Sequence, residues 1–104
     1  MNESILHDTL ESVLPAFHIV LDGKPETAAV YRTTGEKTLY ESDEPIITWD
    51  VFQVYVFQRE YDPAVVPAVC DALKAAGFIL EGMGAQLMQD DYYRDELHLK
   101  KRKE

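Results

Sequence analysis

Between Trp49 and Arg59 the chain is apolar on both faces of an extended strand: Trp49, Val51, Tyr55 and Phe57 fall on one side, and Phe52, Val54 and Val56 on the other. A strand with one apolar side leaves its other side in water, but this one requires cover twice. The rest of the chain supplies two short helical segments, which suit a single layer on one side of a sheet. The second face then has two readings. It meets another subunit, or it is the back of a central strand closed by the chain's own loops and long side chains.

Around this strand the pattern predicts a simple order of elements. Leu6, Leu10, Val13, Leu14 and Phe17 recur at helical spacing opposite His7, Asp8, Glu11 and Ser12, which predicts an amphipathic helix over 4–14 ended by Pro15. Residues 16–21 read as a short extended piece before the turn cluster Asp22-Gly23-Lys24-Pro25. A strand follows over 28–33, then a polar loop over 34–45 holding Gly35, Glu36, Glu41, Asp43 and Glu44. Beyond the long strand, Asp62 reads as an N-cap with Pro63 at the first helical position, although Pro67 would either distort the first turn or move the regular start toward itself. Val66, Val69, Cys70 and Leu73 form that helix's buried stripe, and Gly77 stops it. A strand over 78–80, a bend at Gly82 and Gly84, its continuation over 85–88, a turn at Asp90-Asp91 and a last strand over 92–100 complete the chain. The expected fold is α+β: one domain over 1–104, a small and mostly antiparallel sheet with two helices packed on one face, and a short basic tail over 100–104.

The charge is unevenly placed. Lys100, Lys101, Arg102 and Lys103 hold four of the ten basic residues, while residues 1–99 carry 18 acidic side chains against 6 basic ones. That balance disfavours wrapping nucleic acid or lying on an anionic membrane. No apolar run approaches the roughly 20 residues that span a bilayer, and the first residues lack the basic start of a secretory signal, so the expectation is a soluble, intracellular protein. The basic end reads as a solvated terminus or as a contact with an acidic neighbour.

The motifs of common catalytic sites are missing from the sequence. Gly82-Met83-Gly84 does not lead into a helix, as a phosphate loop must. His7, His18 and His98 are far apart in sequence, and the acids at 41–44 lack an EF-hand pattern, so neither metal nor cofactor is expected. Cys70, the only cysteine, lies on an apolar helix stripe where burial makes a thiol a poor nucleophile. The reading is therefore not an enzyme. Tyr92 and Tyr93 combine large rings with polar tips and fit either a core or an interface.

Taken in order, these features resemble the tail-completion proteins of long-tailed bacteriophages and prophages, the tail terminator or head-to-tail joining family. The resemblance rests on the opening helix, the Ala29-Val30-Tyr31-Arg32 strand, the loop ending in Asp43-Glu44-Pro45, the aromatic strand leading to Tyr61-Asp62, and Ala72-Leu73-Lys74-Ala75-Ala76-Gly77-Phe78. The close, with Asp90-Asp91 ahead of Tyr92-Tyr93, also fits. It implies a homo-oligomeric ring, typically a hexamer, that caps the tail tube, meets the tail tube protein and the head connector protein, and passes from the host cytoplasm into the virion tail. The family has no fixed interface motif. The candidate contacts are therefore those the residues themselves suggest: Trp49, Val51, Tyr55, Phe57, Tyr92, Tyr93, Lys100, Lys101, Arg102 and Lys103. The chain is short for the family and ends in a basic cluster, a departure that bears on its connector-facing loops. The alternative is a small ligand-binding or regulatory α+β domain whose acidic loop and tyrosine pair line a pocket for a cationic or aromatic ligand.

Overall fold

The computed structural model describes residues 1–103. Its elements are α1 (Asn2–Glu11), β1 (Ala16–His18), β2 (Thr27–Glu41), β3 (Glu44–Gln58), α2 (Val65–Ala75), β4 (Ile79–Met83), β5 (Leu87–Gln89) and β6 (Tyr92–Arg102). The strands form one sheet in the order β1-β2-β3-β6-β4, with β5 also paired to β6. Only the β1–β2 pair is parallel, so the fold is the expected mostly antiparallel α+β sheet with two helices. No helix among the described residues is long and apolar enough to cross a membrane.

The even-numbered side of β3 carries the main core. Phe52, Val54 and Val56 pack with Leu97 and Leu99 of β6 beneath Leu6 and Leu10 of α1 and Val66, Val69 and Leu73 of α2. Burial of each such side chain contributes about 1.5–3 kcal/mol, so this face fixes both helices on the same side of the sheet. The N-terminus is tied down by a polar contact that the hydrophobic pattern does not reveal. The buried Asn2 side chain donates to Asp50 Oδ2 at 2.9 Å and to the Arg102 carbonyl at 3.0 Å. α1 consequently starts earlier than the apolar spacing suggests, and it ends sooner, at Glu11.

Asp62 is not the N-cap of α2, which is Ala64; its Oδ1 accepts from the Ala64 amide at 2.9 Å, ahead of the helix. The regular helix begins at Val65, which puts Pro67 in the first turn. Amides there have no intrahelical acceptor, so a proline costs no hydrogen bond. Gly77 closes the helix with φ of +93°, the left-handed conformation that favours glycine.

Two further sequence expectations are corrected. Residues 34–45 are not a loop: β2 and β3 run on as a long hairpin, with register shifts between Thr33 and Gly35 and between Leu39 and Tyr40, to the two-residue turn Ser42-Asp43. Both turn residues have positive φ, 50° and 66°, as a primed turn requires. The basic end is not a tail either. Lys100, Lys101 and Arg102 continue β6 against Val51, Asp50 and Trp49, and the Lys103 amide donates to the Thr48 carbonyl. Glu104 lies outside the described residues.

Candidate assembly surfaces

Two features stand out from the packed body, and both arise from the β2–β3 hairpin. Pairing of β6 with β3 stops at Trp49, with one further bond at Thr48, so the hairpin beyond that point is a ribbon of two strands only. The molecule measures 50 × 24 × 23 Å. This arm exposes large apolar side chains near its tip: Leu39 is 55%, Tyr40 61% and Ile46 48% accessible. The acids Glu41, Asp43 and Glu44 lie between them, around the turn. An isolated two-stranded ribbon is marginal in water, and exposed apolar residues on it add nothing to its own stability.

The second feature lies at the opposite end of β3, on the sheet face turned away from the helices. Val30, Phe57 and Tyr92 form a small second core, with Phe17, Leu21 and Tyr55 against it. Above them opens a groove of about 600 Å³, bordered by residues 19–21 and Lys24 on one side and by Asp90 and Asp91 on the other. Ile19 holds φ at +71°, which a β-branched residue adopts at a cost of about 1–3 kcal/mol, and its amide donates to the Tyr31 carbonyl at 2.9 Å. Arg94 stacks over the Tyr55 ring at 4.8 Å and Arg59 over Tyr92 at 5.6 Å. Arg94 Nη1 donates to Gln89 Oε1 at 2.8 Å, while its buried Nε has no partner among the described residues.

Between groove and arm the same face is closed by the chain's own polar side chains. Arg32 donates to Gln53 Oε1, and Gln53 Nε2 donates to Glu96 Oε1 at 2.9 Å. His98 Nε2 lies 3.1 Å from Glu96 Oε2. Burial alone would push the Glu96 carboxyl up, but Tyr55 and His98 beside it, with Arg94, hold it below the ordinary carboxylate value. Next along, Glu81 bridges Lys37 at 3.1 Å and Lys100 at 3.5 Å, and the hydrogen bond from Lys37 leads in lowering its pKa.

The candidate residues named from sequence are therefore distributed as follows. Trp49, Val51, Tyr55 and Phe57 share the face away from the helices, as the alternation requires. Phe57 is buried, and the other three are half-buried. Lys100 covers Trp49 at 4.6 Å from the ring centroid, so much of that face is closed within the chain. Tyr92 and Tyr93 do not form a joint patch. Tyr92 is buried in the groove floor with its hydroxyl donating to the Pro25 carbonyl at 2.8 Å, while Tyr93 sits on the other face beside Tyr61, with ring centroids 5.6 Å apart. The acids at 41–44 are at the arm tip, roughly 40 Å from Tyr55 by strand rise, so they share no pocket with either tyrosine. Lys101 points its ammonium over Phe78, Arg102 is exposed, and Lys103 pairs with Glu36.

The histidines, distant in sequence, are partly brought together. His7 Nδ1 lies 2.9 Å from the Tyr31 hydroxyl and the His18 ring stacks on Tyr31 at 5.2 Å, whereas His98 belongs to the Glu96 network. Burial raises the Tyr31 hydroxyl pKa, and Glu3, Asp8 and Glu11 add to the effect. Among the described residues no group of three or more His, Cys, Asp or Glu is arranged to hold a metal ion. Cys70 is half-buried on α2, and burial pushes its thiol up. No protein-family model matches the chain, and no curated protein sequence matches it.

Proposed function

We propose that this chain is a structural subunit of a phage or prophage tail, which caps the tail tube as an oligomeric ring and joins it to the head connector. The observation that carries this reading is the projecting arm. A two-stranded ribbon that exposes Leu39, Tyr40 and Ile46 gains its order and buries its apolar surface by meeting another protein. A molecule with one adhesive end and an unlike second surface associates head-to-tail, and such contacts close into a ring or grow into a filament. Capping requires closure. The role is mechanical, and the ring joins the virion tail after assembly in the host cytoplasm.

The test is binding to purified tail tubes, followed by native mass spectrometry of the released complex. The reading expects the chain at tube ends in a fixed copy number. A chain that ignores tube ends, encoded among metabolic rather than portal, connector and tube genes, would sink it.

A further inference from the structure

Resting on the assembly reading above, we infer that the arm tip of one copy docks in the groove at the far end of the next copy, so that a single contact type propagates the assembly. The two surfaces are complementary in three respects. The groove has an apolar floor of Val30, Tyr55, Phe57 and Tyr92, and the tip presents Leu39, Tyr40 and Ile46. The groove brings Lys24, Arg59 and Arg94 together on a chain whose net charge is −9. None of these three cations forms an ion pair among the described residues. The tip carries Glu41, Asp43 and Glu44, likewise without ion pairs among the described residues, as a ready set of partners.

Geometry excludes the same contact within one molecule. Tip and groove lie near opposite ends of β3, and a strand rising about 3.3 Å per residue separates Asp43 from Tyr55 by roughly 40 Å. The tip therefore reaches a groove only on a second copy, and the contact is heterologous. The groove volume, about 600 Å³, lies within the range of binding pockets and admits large side chains from the tip. Asp90 and Asp91 at one rim oppose the incoming acids and favour their approach beside Lys24 at the other.

Two variants, each with one end disabled, test this directly. Asp43→Lys with Glu44→Lys reverses the tip and leaves the groove intact; Lys24→Glu with Arg59→Glu reverses the groove and leaves the tip intact. Sedimentation of the full chain at up to about 1 mM should show self-association for the unaltered protein, weakened about tenfold or more in either variant. Mixing the two variants should restore a complex that neither forms alone, because the intact tip of one meets the intact groove of the other and the two reversed surfaces, lysines against glutamates, are complementary as well. Recovery of that complex also shows that both variants are folded. Variants that associate as the unaltered chain does, or an unaltered chain that stays monomeric throughout, would overturn the arm-to-groove contact. The ring reading is judged separately, since a chain that caps tubes while failing these tests forms its ring through another surface.

Discussion

The ammonium of Lys100 lies 4.6 Å above the centre of the Trp49 ring and 3.5 Å from Glu81 Oε2. A lysine expected in a solvated tail and a tryptophan expected at an interface thus cover one another. The contact ties the end of β6 to β3, and Asn2 adds a bond to the Arg102 carbonyl from the helix layer. The basic segment is part of the sheet.

Removing residues 100–104 should therefore destabilise the protein. A cation–π contact worth about 0.5–1 kcal/mol and hydrogen bonds worth about 0.5–1.5 kcal/mol each are lost together. The expected cost is about 2 kcal/mol, or roughly 10 °C in Tm. Calorimetry of the truncated chain checks this; an unchanged Tm would mean that the strand end is merely ornamental to stability.

Tyr55→Glu should leave a folded monomer, because Tyr55 is half-buried on the face away from the helices rather than in the main core. The variant loses the Arg94 stack and sets a second carboxylate near Glu96, at a cost of about 1–2 kcal/mol. Assembly should be abolished, since Tyr55 forms part of the groove floor. Near-UV circular dichroism with sedimentation separates the two effects; loss of the folded signal would place Tyr55 in the core instead.

Tyr92→Phe removes the donor to the carbonyl of the half-buried Pro25 and keeps the ring in place. Urea denaturation should show a loss of about 0.5–1.5 kcal/mol, the net worth of a typical hydrogen bond. A loss near zero would show that the acceptor is satisfied by water.

Stability should also fall on acidification. Glu96 and Glu81 both have folded-state pKa values below the ordinary carboxylate value, so each ionises more readily folded than unfolded. Their contribution is full above the unfolded value and is lost as pH falls through the lowered one. Glu96→Gln and Glu81→Gln should each flatten the acid limb of a stability–pH curve while changing its alkaline limb little. An acid limb as steep as in the unaltered chain would remove these carboxylates from the account.

The core was legible because its constraint is periodic. Phe52, Val54 and Val56 alternate with the opposite face, Leu6 and Leu10 are one turn apart, and Gly77 and Asp90-Asp91 use backbone conformations that few residues adopt. The arm escaped notice for the same reason reversed. From Thr34 to Ser42 neither face meets a core, so no apolar alternation distinguishes the strand from a polar loop, and it is held extended by hairpin pairing with ion pairs at Glu36 and Lys37. The groove was equally hidden, since Lys24, Arg59 and Arg94 come from three separate segments that the sheet order brings together. The basic end was misread because Lys101 and Arg102 carry no apolar signal, although Leu97 and Leu99 before them already set the strand's register.

Electron microscopy of tail-tube protein polymerising with and without this chain decides whether it ends a tail tube as a closed ring, the function proposed above. Tubes of limited length are expected, each bearing a ring of this chain at one end, and charge reversal in the groove or at the arm tip should lengthen them. Tubes whose length is independent of the chain, with bare ends at saturating concentration, would contradict that function.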